Sequence, residues 1–313
     1  MSGRVLALSG GVGGAKLALG LLRVIASDEL IVVANTGDDF EHLGLAISPD
    51  LDTLVYTLAG LDNPDTGWGR RDETWTFMAA LETLGGPTWF RLGDGDLAMH
   101  VERTQRLHAG ESLSTVTEHF RTRLGIRARV MPMSDNPVRT MVRTSNEWLA
   151  IQDWFVRLAW QPDVTALRYD GASGARPHPA LLGALADPAL AAVVVCPSNP
   201  FVSIDPILAI PGVRDALSAC RAPRIAVSPI IGGRAVKGPT AKMMRGLGLV
   251  VEPAAVAAHY AGLIDGMVVD HEDARCALPP GVVKCVTATF MQSLEDRERL
   301  ARDVLAFADH VRR

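Results

Sequence analysis

Short, continuous apolar runs recur along the chain, each bounded by Gly, Pro or Asp and separated by longer stretches of helical character. Val5-Leu6-Ala7-Leu8 is the first and Ile31-Val32-Val33-Ala34-Asn35 the second; Ala192–Cys196, Arg224–Ser228, Leu249–Val251 and Met267–Val269 follow. A strand wetted on one side alternates apolar and polar residues. Runs that do not alternate predict a parallel sheet covered by helices on both faces. Leu294 to Val311 predicts a closing helix, with Leu300, Val304, Leu305 and Phe307 apolar among charged neighbours. The middle differs. Residues 53 to about 125 read as helical and loop-rich, with Trp68, Trp75 and Trp89. From 129 to 170, "VRTMVRT" and "WLAIQDWFVRL" flank Ser145-Asn146 and predict antiparallel strands about a turn. The expected fold is α/β: a doubly wound, Rossmann-like parallel sheet with an inserted helical and antiparallel-strand region. Residues 1–52 and 160–313 would form the nucleotide-binding core and 53–159 the insert.

"ALSGGVGGAKLALGLL" (Ala7 to Leu22) gives that sheet its first chemistry. Strand, glycines and helix in this order aim backbone N–H groups and a positive helix end at an anion. Walker A loops need Gly-Lys followed by Ser or Thr, whereas Lys16 stands between Ala15 and Leu17. Dinucleotide loops need a third glycine where Lys16 stands. A phosphate site of another kind is expected, formed by Gly11, Val12, Gly13, Gly14 and Lys16; a ligand-free strand–helix turn is the bland alternative.

Composition narrows the classes. A net charge of −4 and a pI near 6.1 argue against a general nucleic-acid binder. No apolar run reaches membrane-spanning length, and the opening residues enter a strand at once, unlike a signal peptide. Cys196, Cys220, Cys276 and Cys285 show no C-x-x-C spacing and read as reduced thiols, so a cytoplasmic protein is expected.

Candidate groups gather after the strands, where ligands of doubly wound folds bind. In "ANTGDDFEHLGLAISPDLDT" (Ala34 to Thr53), Asp38 and Asp39 follow the second strand and would open a helix. Asp50 and Asp52 lie in a Pro-led turn and would point the same way if extended. Several carboxylates beside a phosphate loop make electrostatic sense with a hard cation such as Mg²⁺ between them; capping of turns is the simpler reading of each. "WFRLGDGDLAMH" (Trp89 to His100) offers Arg91, Asp94 and Asp96 to a planar ligand, or a loop and a capped helix. Ser198 and Asn199, at a strand's end, could offer hydrogen bonds to a base or ribose, and Gly232-Gly233 and Gly238-Pro239-Thr240 open a helix. Arg234, Lys237, Lys242 and Arg245 add charge around a helix start at Thr240.

These segments together resemble the 2-phospho-L-lactate transferase family of coenzyme F-420 biosynthesis. The resemblance lies in "SGGVGGAKL", "VVANTGDD", "ISPDLDTLVYTLAG", "GWGRRDETW", "RLGDGDLAMH", "MPMSDNPVRTMVRT", "PSNPFVSIDPILAIPG" and "VSPIIGGRAVKGP", in order, to about residue 270. It implies a Mg²⁺-dependent transfer of a phospho-acid, phospholactyl or enolpyruvyl phosphate, from its guanosine diphosphate ester to the terminal hydroxyl of the deazaflavin Fo. GMP would be released. The glycine loop and Lys16 would take the diphosphate, Asp38 and Asp52 the Mg²⁺, and Asp52 or Asp50 the hydroxyl proton. Asp52, Thr53, Arg91 and Asp94 would contact Fo, from the insert and its border. Ser198, Asn199, Ser228, Gly232 and Gly233 would hold guanosine. A homodimer is implied, with the Trp-rich insert as an interface. One departure stands out: the family pattern R-L-G-D-R-D reads here Arg91-Leu92-Gly93-Asp94-Gly95-Asp96, so a cation is missing at Gly95.

Two rivals remain on the sequence. A non-enzymatic nucleotide-sugar-binding regulator of the gluconeogenesis-factor type shares the glycine-rich opening and a strand ending in paired acids. A nicotinamide oxidoreductase would need the third glycine and an acid directly ending the second strand, where Asn35 stands.

Overall fold

The computed structural model describes residues 3–312. Seven strands form the main sheet: β1 (Val5–Ser9), β2 (Leu30–Ala34), β3 (Arg129–Pro132), β4 (Ala192–Val195), β5 (Arg224–Val227), β6 (Gly266–Val269) and β7 (Val283–Val286). They lie in the order β7-β6-β5-β4-β1-β2-β3, and every pair is parallel. Strand order reverses between β1 and β4, where Leu6 lies between Ile31 and Val193. That is the doubly wound Rossmann arrangement, extended by one strand.

The unbroken apolar runs have a direct structural cause. Along β1, Leu6 and Leu8 enter the core on one face while Val5 and Ala7 enter the core on the other. The second face is covered by α1 (Gly11–Val24) and the C-terminal helix Leu294–Val311, whose Leu300 and Val304 pack with Leu17 and Leu21. These two helices touch backbone to backbone: a Cβ on Gly20 would collide with the carbonyl of Arg297. Helix α2 (Pro49–Ala59) packs beside α1, and α3 (Thr76–Thr83), α4 (Asp94–His108) and α5 (Leu113–Arg123) follow before the chain returns as β3.

Several expectations change. Leu249–Val251 is not a strand; Val250 is 65% exposed in the approach to helix Pro253–His259. Residues 129–132, read with the antiparallel region, instead pair parallel with β2 as the sheet's edge. The stretch 53–159 is therefore two excursions from one sheet, before and after β3. The hairpin about Ser145-Asn146 forms, and Arg139–Arg143 pairs with both Trp148–Ala150 and Ala166–Asp170. "WLAIQDWFVRL" is a strand only to Ala150. It then coils helically through Asp153–Arg157, where fully buried Trp154 donates its indole N–H to the Pro162 carbonyl (2.8 Å). Among the described residues no helix is long and apolar enough to cross a membrane.

Candidate functional site

The crevice between β1 and β4 collects the glycine loop, Asn35–Asp39 after β2 and Pro197–Asn199 after β4. Gly10 is the N-cap of α1, and the helix begins at Gly11, at φ +63°. The glycines form the first turn of the helix rather than a loop before it, and close approach requires most of them. A Cβ on Gly10 would lie 2.5 Å from Asp50 Oδ2; on Gly13 it would strike the Pro197 carbonyl, and on Gly14 the hydroxyls of Ser9 and Ser198. The Gly10 amide donates to Ser198 Oγ (3.1 Å).

Asn35 organises the acids. Its Nδ2 lies 2.9 Å from Asp50 Oδ2, 3.3 Å from Asp38 Oδ1 and 3.0 Å from the Val202 carbonyl, while its Oδ1 accepts from the Gly37 amide (2.8 Å). Burial, and then repulsion from Asp50, raises the Asp38 pKa well above the carboxylate range; burial raises Asp50 to about 6 against hydrogen bonds from Asn35 and the Gly11 amide. No ion pair involves either acid among the described residues. Asp39 does not open a helix. It leads into a hairpin, Phe40–His42 with Leu45–Ile47, accepts from Ser48 Oγ (2.8 Å) and is pushed by burial to about 7.

Asp52 is elsewhere. Asp50 and Asp52 occupy the first turn of α2, so two residues separate them by more than half a turn, and they diverge where an extended chain would align them. Asp52 pairs with Arg103 through both oxygens, Arg103 Nη1 to Oδ2 at 3.1 Å and Nη2 to Oδ1. Arg103 is wholly buried. Beyond it, His100 Nε2 lies 3.1 Å from Asp96 Oδ2, and Tyr56 donates to Asp96 Oδ1 (2.6 Å). This network ties α2 to α4. The structure thus brings Asp38 to Asp50, not to Asp52, and places Asn35 and Arg103 in positions that the sequence reading did not assign.

Other candidates are engaged within the protein. Asp94 caps α3, accepting from Thr74 Oγ1 (2.6 Å), the Thr76 amide (3.1 Å) and the Phe77 amide (3.0 Å). Arg91 stacks on Trp75 at 4.2 Å, and Thr53 is buried on α2. Asn199 Oδ1 caps the turn after it through the Phe201 amide (2.9 Å), leaving Nδ2 with only the Met243 sulfur (3.4 Å). Ser228 Oγ closes a turn with Ile230. Gly232 and Gly233, both at positive φ, form the two-residue turn between Ile230–Ile231 and Arg234–Ala235. Lys16 Nζ donates to the Met291 carbonyl (2.9 Å). Arg70 lies against Gly95, its Nη1 on the Gly95 carbonyl (3.2 Å), so a guanidinium stands beside the position that lacks one.

A doubly wound sheet with a glycine-rich helix start and two buried acids at its switch point defines an α/β protein of Rossmann-like architecture. The chain belongs to the 2-phospho-L-lactate transferase CofD family, whose model matches residues 5–280, and it is a transferase of coenzyme F-420 biosynthesis. It is 43% identical to a phosphoenolpyruvate transferase of Kitasatospora aureofaciens, over 99% of both chains. It is 35% identical to a 2-phospho-L-lactate transferase of Methanocaldococcus jannaschii, over 96% of both. A crystal structure of a UPF0052-family protein from Bacillus halodurans shares the fold, with TM-score 0.63 at 13% identity over 97% of this chain and 99% of that one. Family membership decides against the regulator reading.

Proposed function

We propose that the protein moves enolpyruvyl phosphate from its guanosine diphosphate ester to the terminal hydroxyl of Fo and releases GMP. The name of the Kitasatospora relative at 43% identity supports this donor over 2-phospho-L-lactate, the name carried by the relative at 35%. The observation that carries the reading is the Asp38–Asn35–Asp50 group against the N-terminus of α1 at the switch point.

Two buried carboxylates that repel each other, with oxygen donors only, fit a hard divalent ion. Mg²⁺ takes one or two carboxylates and completes its shell with phosphate oxygens and water. Asp38 and Asp50 would hold it. Bound there, Mg²⁺ would neutralise charge on the diphosphate oxygens.

The chain's own groups do the rest. Amides of the first turn of α1 face the diphosphate. The Fo hydroxyl oxygen bonds to the acid-bearing phosphorus as the bond from that phosphorus to the bridging oxygen breaks, and the bridging oxygen leaves with GMP. Such a transfer depends on positioned charge more than on a strong base. Asp52, engaged through both oxygens by Arg103, is a poor acceptor, so the hydroxyl proton would leave through water beside Asp50. Asn199 Nδ2, whose partner among the described residues is the Met243 sulfur, would donate to guanosine. A second copy packed through the Trp-rich segment, and a cytoplasmic setting, complete the reading.

Purified protein, Mg²⁺ and Fo are offered guanylylated phosphoenolpyruvate, phospholactate and phosphoglycerate separately. The expected result is a product mass of Fo plus the enolpyruvyl phosphate, with GMP released and both abolished by EDTA. Product from phospholactate alone would overturn the donor assignment. No product from any donor would overturn the reaction.

A further inference from the structure

Three cationic side chains from three elements lie within electrostatic reach of one another along α1. Lys16 is on α1, Arg297 on the C-terminal helix, and Lys237 in the loop after the Ile230–Ala235 hairpin. After burial, the fields of Arg297 and Lys237 do most to weaken the hold of Lys16 on its proton, and Asp62 opposes them. None of the three has an ion-pair partner among the described residues. Lys16 Nζ donates to a main-chain carbonyl, that of Met291; Lys237 Nζ donates to another, that of Thr66; Arg297 Nε is buried with no hydrogen-bond partner.

The Thr66 carbonyl belongs to a compact strap. Asp62 and Arg70 bridge at its base, the Asn63 amide donates to the Gly69 carbonyl (3.1 Å), and the Gly67 amide donates to the Asn63 carbonyl (2.8 Å). Its tip rests on the glycine loop. Gly67 has φ +72°, and a Cβ there would lie 2.9 Å from Val12 Cγ1 and 3.2 Å from Lys237 Nζ. The strap therefore covers the first turn of α1, and a lysine holds it there through a neutral oxygen.

We propose that the 62–70 strap is a lid over the phosphate end of the crevice, and that Lys237 is both its latch and a ligand of the donor's diphosphate. The inference rests on the guanosine diphosphate donor proposed above. A phosphate oxygen carries net negative charge where a carbonyl oxygen carries only a partial one, so it is the stronger partner for an ammonium. Three cations with one opposing acid, Asp62, also favour an anion among them. When the diphosphate arrives, Lys237 exchanges the Thr66 carbonyl for a phosphate oxygen, and the strap comes free.

Hydrogen exchange and calorimetry on the full chain with Mg²⁺ and GDP test this. In the wild type, GDP is expected to raise exchange of the 62–70 amides. Lys237→Gln is expected to show that raised exchange without GDP and to bind GDP about tenfold more weakly, the loss of one charge-assisted bond. Lys237→Arg should keep both properties. Lys242→Gln, whose ammonium sits on the Gln161 carbonyl and Asp163, should change neither. Unaltered GDP affinity in Lys237→Gln, or strap exchange that GDP leaves unchanged or lowers, overturns the inference. A wild-type chain that gives no heat with GDP overturns the donor reading instead, before any variant is compared.

Discussion

Arg103 has no exposed surface and sits against Asp52, so the two charges exist in the interior only as a pair. Removing one leaves the other uncompensated, and Arg103→Met should cost about 3–5 kcal/mol. Urea unfolding of that variant, and of Arg103→Met with Asp52→Leu, checks this; the double variant should recover most of the loss. Asp50 has the opposite character: it lies beside another acid without a counter-charge. Asp50→Asn should fold normally yet lose roughly 100-fold or more in kcat/KM, because the several kcal/mol that a bound cation supplies go with it. Turnover within a few-fold of wild type would remove Asp50 from the mechanism. Neither distinction was legible in "SPDLDT", where both acids look alike. What separates them is the 3.6-residue turn of α2 and an arginine more than fifty positions away.

Among the elements, α3 depends on a residue outside it. The Asp94 carboxylate, held at about 2 by hydrogen bonds from Thr74 first and then the Phe77 amide, closes the open end of that helix. Its folded pKa lies below its unfolded one. Its contribution is therefore complete above the ordinary carboxylate range near 4 and is lost as pH falls toward 2. Asp94→Ala should abolish that part of the acid dependence and raise amide exchange in 76–83 at neutral pH; unchanged exchange there would show that the cap is idle. The sequence revealed the strands that are buried on both faces, because β1, β2, β4, β5 and β6 have no polar interruption to obscure them. It hid the two edges. β3 reads "RVMP" and β7 "VKCV", each with a charged residue facing solvent, as edge strands tolerate. Conversely "LVV" at 249–251 has the composition of a strand but no neighbouring strand to pair with.

For the whole molecule, binding at the crevice would add to the links that Asn35, Ser198 and Lys237 already make across it. Saturating Mg²⁺ and GDP, at about 100 times Kd, should stabilise the chain by about 3 kcal/mol. EDTA should remove most of that gain, and Asp50→Asn should show little of it in thermal unfolding. A full gain in EDTA would detach the nucleotide from the metal. The family resemblance extended over most of the chain, whereas the partners of each side chain depend on distant residues such as Arg103 and Met291. The sheet order has one more consequence, for the chain as it is made. Val5 lies beside Ala192. A ribosome adding roughly 5–20 residues per second needs on the order of 10–40 seconds between those two strands. Throughout that interval one flank of that strand has no permanent neighbour, so the glycine loop is made well before the strand that completes its crevice.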